Sequence, residues 1–403
     1  MALAVAGVRR IGLRRCGPGQ RLEPAIDMDG RPWSFSQNLE CFAPRLDITY
    51  LVCSGSLRAG RIYGELLMSR LTFGVTTETL RLAQPFRISG YVFECFDVVV
   101  VTLQDGPHQG RGEGGGVYFL GDDAPHMLAA LNDARGAIEA GPSREDLRAI
   151  MPPGGARNAV DCAMWDLEAA RQGKSVWQLA GQPPPHPLRT TFTLGADNPD
   201  VMAEAARRCV QARAIKVKLT GELEIDLARV RAVRAARSDV WLGVDGNQGF
   251  SADQLNVLLA GLLSERVSLL EQPLARGQEA ALDGYCSAIP IAGDESVLSL
   301  ADVAAAVGRY DVINIKLDKC GGLTEGLMMA AEARRLGLDV MVGNMVGTSL
   351  AMAPGFVLGQ VCDIVDLDGP TFLAKDRTPG VEYADGNVWA GPAVWGTGSK
   401  SVS

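Results

Sequence analysis

The chain is predicted to be an α/β protein: a (β/α) barrel of the TIM type carrying an N-terminal α+β capping domain. Three features lead there. After Pro187, short strand-like segments alternate with amphipathic helical ones at a steady pitch; eight strand segments can be counted in that stretch; and the region before it places its strands ahead of its helices.

Residues 1–67 show no sustained helix or strand period and contain turn-rich pieces such as Gly17-Pro18-Gly19 and Asp29-Gly30-Arg31-Pro32. They are expected to form a poorly ordered extension, or to precede the natural start, because a regular pattern begins just after Met68. Residues 68–165 are expected to form the capping domain. Within it Leu71 to Leu82 alternates like a strand, and Asp97 to Leu103 is a β-branched run ending at the Asp105-Gly106 turn. Ala124 to Ile138 and Ala159 to Arg171 carry apolar residues at helical spacing.

The barrel is assigned to 166–370. Its candidate strands are Arg189 to Leu194, Ala214 to Leu219, Val240 to Asp245, Val267 to Glu271, Ile289 to Asp294, Val312 to Leu317, Asp339 to Gly343 and Asp363 to Asp368. Eight is a number that closes a barrel, and helical segments such as Asn198 to Ala212 and Ile225 to Ala236 suit right-handed crossovers between parallel strands. Residues 371–403 are expected to return to the capping domain.

Composition narrows the function. With 47% hydrophobic and 21% charged residues the chain is an ordinary globular one, and a net charge of −8 lacks the concentrated Lys and Arg that a nucleic-acid partner demands. Nine cysteines without a CxxC pair indicate neither a zinc ribbon nor a disulfide framework, and no run of 18 apolar residues exists to span a membrane. A cytoplasmic location is expected.

The functional signal is where charged residues fall on the barrel repeat. Lys216 and Lys218, Asp245, Glu271, Asp294 and Lys316 stand at strand ends, with steps of 27, 26, 23 and 22 residues from Lys218 to Lys316; Asp366 follows 50 residues after Lys316, with Asp368 just beyond it. Successive βα units bring their strand ends to one rim, so these groups should converge on one mouth. Asp245, Glu271 and Asp294 form a hard-oxygen set suited to Mg²⁺. The three histidines, His108, His126 and His186, are at no barrel strand end, which disfavours zinc-type histidine chemistry and a Ser-His-Asp triad.

Lys216 and Lys218 are two apart and share a strand face. Mutual repulsion and desolvation are expected to lower the pKa of one of them and make it a base at neutral pH. Lys316 supplies a second acid/base group across the barrel. Two opposed bases flanking one carbon fit inversion of a stereocentre. Asp366 and Asp368 alternate to one face and can jointly hold a substrate ammonium.

These residues resemble the muconate-lactonizing branch of the enolase superfamily, from about Ser69 to the chain end. The resemblance lies in Lys216-x-Lys218, Asp245-Gly246-Asn247, Glu271-Gln272-Pro273, Gly293-Asp294-Glu295-Ser296 and Asn314-Ile315-Lys316-Leu317. It implies Lys218 and Lys316 as the acid/base pair, Lys216 as electrostatic helper, and Asp245, Glu271 and Asp294 as Mg²⁺ ligands. Asp366-Leu367-Asp368-Gly369-Pro370 is similar to the last-strand motif of dipeptide epimerases, including the alanyl-glutamate type. That narrower likeness implies a dipeptide substrate epimerised at its C-terminal residue, with Thr193, Asn247 and Tyr91 completing the substrate-binding set.

In alanyl-glutamate epimerases the early capping loop commonly carries a basic residue for the substrate's side-chain carboxylate. Here the loop reads Phe86-Arg87-Ile88-Ser89-Gly90-Tyr91-Val92-Phe93, with Tyr91 at the expected basic position and Arg87 earlier, which opens an apolar or aromatic second residue. The competing readings are an N-acylamino acid racemase or another cycloisomerase or dehydratase on the same barrel, and a catalytically silent barrel acting as a binding protein. By analogy with other barrels a homo-oligomer is expected.

Overall fold

The computed structural model describes Met28, residues 70–397 and the backbone of 399–400. The extension expected over 1–67 therefore lies outside the described residues, Met28 excepted.

The capping region opens with three antiparallel strands, β1 (Thr72–Ile88), β2 (Tyr91–Asp105) and β3 (His108–Gly115). β1 and β2 are longer than their apolar alternation predicts. Phe86–Phe93, read as a loop, is the tip of the β1–β2 hairpin, turning at Ser89-Gly90 with Gly90 at φ 75°. Tertiary contacts extend these strands where local pattern fades at Gln84-Pro85. The register slips between Arg81 and Phe86, where Leu82 bridges to Leu373 and the Ala374 N–H donates to the Arg81 carbonyl at 2.9 Å. The tip is held in turn by the Ala196 N–H on the Arg87 carbonyl, 2.9 Å.

The third strand was missed because its Gly-rich sequence reads as a loop. Its glycines have a packing reason: a Cβ on Gly110, Gly112 or Gly114 would stand 2.1, 2.2 and 2.1 Å from the carbonyls of Ala163, Ala159 and Gly155. The strand lies flush on the helix that carries those carbonyls, as interior glycines permit.

Three helices cover the sheet, α1 (Ala124–Glu139), α2 (Arg144–Ile150) and α3 (Gly155–Gln172). Asp123 caps α1, and a Ser143/Asp146 capping box starts α2, a helix too short for periodicity to reveal. α3 ends at Gly173 in the left-handed conformation, φ 60°. It runs through the boundary expected at 165, and nearly all of it is buried between the sheet and the barrel.

The barrel expected from the sequence is present. Its eight strands are Thr191–Leu194, Ala214–Lys218, Trp241–Asp245, Leu269–Glu271, Ile291–Gly293, Val312–Lys316, Asp339–Gly343 and Ile364–Val365, each parallel to its sequence neighbour. The first expected strand divides: Leu188–Arg189 leaves the barrel to pair with Asn387–Val388, and only Thr191–Leu194 joins it. The seam between the last and first strands is bonded by side chains, with the Leu367 N–H on Thr190 Oγ1 (2.9 Å) and the Thr193 N–H on Asp368 (2.6 Å).

Apolar residues fill the barrel wall and the layer between strands and helices. Residues in the first half of the strands, among them the opening residues Ala214, Trp241, Leu269, Val312 and Ile364 together with Met341, close the N-terminal end, and Met28 is buried in that layer. The Arg189 guanidinium donates to the Met28 carbonyl. The C-terminal segment returns to the first sheet, where the Trp395 indole donates to the Arg111 carbonyl (2.8 Å) and Ser399–Lys400 pairs with β3. Among the described residues no helix is long and apolar enough to cross a membrane.

Candidate active site

Strand register explains why residues distant in sequence meet. Lys218 pairs with Asp245 and Asp245 with Glu271 along adjacent strands, so three consecutive strands end on ionisable groups at the same level. Asp294 follows the next strand directly, and Lys316 closes the sixth. The second and sixth strands of an eight-stranded barrel are opposite each other, which sets Lys218 and Lys316 across the mouth. Both line one cavity with Lys216, Asn247, Thr193, Asp366 and Asp368.

Carboxylate oxygens of Asp245, Glu271 and Asp294 all lie within 4.8 Å of one another. Lys218 donates to Asp245 and Lys316 to Asp294, each at 2.6 Å, while Lys216 reaches Asp366 and, at 3.4 Å, Glu271. Asn314 Nδ2 orients Glu271 from 2.8 Å. Close approaches shape the motifs around these groups. A Cβ on Gly246 would meet Pro273 Cα at 2.9 Å, and Asn247, Gln248 and Gln272 hold positive φ of 42°, 65° and 32°. Such strained conformations persist only where surrounding structure imposes them.

The electrostatics ask for a cation. Burial and then the Asp245 charge push Glu271 up to about 7, and burial with Asp294 and Asp245 pushes Glu295 up to about 8. Asp294 is also opposed by burial, but Lys316 and Lys319 outweigh that and hold it below the usual carboxylate range. Six buried carboxylates, of Asp245, Glu271, Asp294, Glu295, Asp366 and Asp368, face four buried ammonium groups, of Lys216, Lys218, Lys316 and Lys319. The formal excess is the charge of one divalent ion. Asn247 Oδ1 and Glu295 Oε2 are buried without a hydrogen-bond partner. An oxygen-rich, dry, net-negative set of this kind fits Mg²⁺.

The lowering expected for one lysine of the Lys216/Lys218 pair does not fall on Lys216. Burial opposes the Lys216 ammonium, but Asp366, Glu271 and Asp245 more than offset it and hold it well above the usual lysine value. Lys316 is likewise raised, with Asp294 and Glu271 outweighing burial. Lysine–lysine repulsion is the smaller effect because each ammonium touches a carboxylate.

The Asp366/Asp368 pair is also more differentiated than its alternation implied. Asp366 accepts from Lys216 and Thr191, and although burial opposes its charge, the Lys216 ammonium and these hydrogen bonds together keep its carboxyl low. Asp368 accepts from the Thr193 N–H, and burial with the Asp366 charge raises it to about 7.

Thr193 and Asn247 line the cavity as expected, and Tyr91 does not. Tyr91, 45% exposed, shares the strand face of Phe93 two residues on, stacks on its ring with centroids 5.8 Å apart and meets Tyr118 edge-on at 4.8 Å, but it sits one step nearer the hairpin turn, outside the cavity lining. Sequence reasoning missed Lys319, which donates to Asp294 Oδ1 and its carbonyl, both at 2.5 Å, and to the Asn314 carbonyl at 3.0 Å. Its spacing of three from Lys316, one turn on, was the available signal. Glu295, next to Asp294 in the chain, is 1% exposed, and sequence reasoning gives it no role.

Comparison with known proteins agrees with this geometry. Residues 71–181 match the mandelate racemase/muconate lactonizing enzyme N-terminal domain, and residues 200–398 the enolase C-terminal domain-like family. An L-Ala-D/L-Glu epimerase of Escherichia coli (strain K12) is 38% identical over 319 residues, 79% of this chain and 99% of that protein. A crystallised enolase family member from Agrobacterium tumefaciens, described as homologous to dipeptide epimerases and holding sodium and L-Ala-L-Glu, superposes with TM-score 0.77 at 41% identity, covering 81% of this chain and 100% of that one. A dipeptide epimerase from Enterococcus faecalis V583, complexed with Mg and L-Leu-L-Tyr, gives TM-score 0.75 at 27% identity over 80% of this chain and 97% of that one. Two domain models that together span most of residues 71–398, and a relative matched over nearly its full length, show that the chain belongs to the mandelate racemase/muconate lactonizing enzyme group of the enolase superfamily.

Proposed function

We propose that this protein is a Mg²⁺-dependent dipeptide epimerase that inverts the α-carbon of the C-terminal residue. One observation carries the reading: Lys218 and Lys316 come from opposite barrel strands and enter one cavity that also holds Asp366 and Asp368. Asp245, Glu271 and Asp294 are the residues that would hold the ion. When bound, Mg²⁺ supplies positive charge to the substrate carboxylate as negative charge builds on it.

The remaining work falls to the chain. Asp368, backed by Asp366, receives the free ammonium and fixes the α-carbon between the bases. One lysine removes the α-proton from one face and the other, as ammonium, returns a proton to the opposite face. Lys216, paired with Asp366 and close to Glu271, keeps a fixed positive charge beside the developing anion. The raised Lys316 suits delivery of a proton; its use as a base requires the neighbouring carboxylate charge to be taken up by the ion.

An N-acylamino acid racemase reading keeps the barrel and metal set, but Asp366 is paired with Lys216 while Asp368 accepts from the Thr193 N–H, and a substrate with a free ammonium would give Asp368 a charge partner. The test is α-proton exchange in D₂O, followed by mass, with a free-amine dipeptide panel, matching N-acylamino acids, and EDTA-treated enzyme. Mg²⁺-dependent exchange of dipeptides at more than tenfold the rate of N-acyl compounds is expected. Exchange of only the acylated set would reject the reading.

In the same reading, 68–165 caps a barrel of 166–370, with α3 crossing the junction, and 371–403 is the segment that returns to the cap. The free thiols of Cys95, Cys162, Cys209, Cys286, Cys320 and Cys362 suit a reducing cytoplasm. Assembly as a homo-oligomer, checked by sedimentation, completes the proposal.

A further inference from the structure

The wall of the cavity that faces the lysines is aromatic. Phe86, Phe93, Phe96, Tyr118 and Phe372 line it together with Ile88. They form two groups. Phe93 stacks on Phe96 (centroids 4.7 Å) and meets Tyr118 edge-on (5.3 Å), while Phe86 packs against Phe372 (4.8 Å) across the contact between the cap hairpin and the end of the barrel. The hairpin is no free flap here, since the Arg87 carbonyl is bonded to Ala196 and the Phe86 ring lies 3.3 Å from where a Gly195 Cβ would stand.

The charges in the same cavity are already committed. Its cationic lining residues are Lys216, Lys218 and Lys316, which pair with Asp366, Asp245 and Asp294. Arg87, the one cation in the hairpin tip, is turned outward to Asp197 at 3.5 Å with both side chains about half exposed. No arginine is among the residues lining this cavity. A substrate side-chain carboxylate would therefore leave water for an aromatic surface with no partner, which is costly, whereas an apolar side chain would cover that surface and gain from it.

We infer that the C-terminal residue of the dipeptide is apolar, aromatic or large aliphatic, and that Phe93, Phe96 and Tyr118 select it. The inference rests on the epimerase reading and narrows it to a substrate class. It separates this chain from the relative named for L-Ala-D/L-Glu, a dipeptide that carries a third charged group.

The experiment compares α-proton exchange in D₂O, with Mg²⁺, for L-Ala-L-Phe, L-Ala-L-Leu and L-Ala-L-Glu, on the intact chain and on Phe93→Arg. The intact chain is expected to give at least tenfold higher kcat/KM for L-Ala-L-Phe or L-Ala-L-Leu than for L-Ala-L-Glu, expressed mainly in KM. Phe93→Arg is expected to shrink that ratio at least tenfold by adding a cation to the wall. Preference of the intact chain for L-Ala-L-Glu overturns the substrate class while leaving the epimerase reading standing; no exchange with any dipeptide overturns the epimerase reading itself. If Phe93→Arg is unfolded by circular dichroism, the ratio for the intact chain decides alone; if it is folded and the ratio is unchanged, the selecting role of Phe93 is wrong.

Discussion

Replacing Lys316 by alanine separates two-base epimerisation from every one-base alternative. Lys316 is 6% exposed and 2.6 Å from Asp294, and it faces Lys218 across the mouth, so its removal leaves one face of the α-carbon without a proton donor or acceptor. A positioned general base contributes roughly 10²–10⁴-fold, which corresponds to about 3–5 kcal/mol of barrel-mouth transition-state stabilisation. The face served by Lys218 keeps its base. One stereoisomer of the dipeptide should therefore lose α-proton exchange by about three orders of magnitude, while the other exchanges at least tenfold faster than the first, a difference of about 1.4 kcal/mol. Net epimerisation should vanish for both.

The assay is stereoisomer-resolved uptake of deuterium from D₂O, read by mass and chiral chromatography. Because the lysine also neutralises Asp294, Mg²⁺ affinity should be measured by calorimetry on the same variant; loss of a neighbouring ammonium should leave it equal or tighter. Wild-type exchange from both stereoisomers would refute the scheme. Equal loss from both, in a folded variant that binds Mg²⁺ normally, would refute it as well, since a base confined to one face cannot act on two.

Two stability predictions follow from the fold. Asp161 is fully buried, accepting from the Thr324 N–H (3.0 Å) and hydroxyl (2.6 Å), and burial raises it from 3.8 to about 6. Its folded pKa is above its unfolded one, so its contribution is full below about pH 4 and is lost as pH rises toward 6. Relative to Asp161→Asn, the intact protein should lose up to about 3 kcal/mol across that window, read from urea unfolding at pH 4 and 6.5; a pH-independent difference would count against it. Met28→Ala should lower the urea midpoint by an amount equivalent to about 2 kcal/mol, at the lower end for a buried methionine, because Met28 is only 5% exposed among the residues that close the barrel's N-terminal end. An unchanged midpoint would mean that this packing adds nothing to stability.

Much of this protein was determined by its sequence alone, for reasons of periodicity. A strand advances side chains by twos and a βα unit repeats every two dozen residues or so, and these two rulers sufficed to bring Lys216, Lys218, Asp245, Glu271, Asp294 and Lys316 to one rim. What escaped them depends on neighbours that the local pattern cannot know. β3 is a strand because α3 presses on its glycines, the cap hairpin extends to Ile88 because the barrel grips its tip, and Phe93 rather than Tyr91 lines the cavity because, on the strand face the two share, Phe93 is the one further from the turn. The charge state of the site was likewise a matter for the tertiary structure. Two lysines in one strand repel each other on paper, but folding places carboxylates against Lys216 and Lys316, and at contact distance in a dry interior opposite charge outweighs the like charge further off.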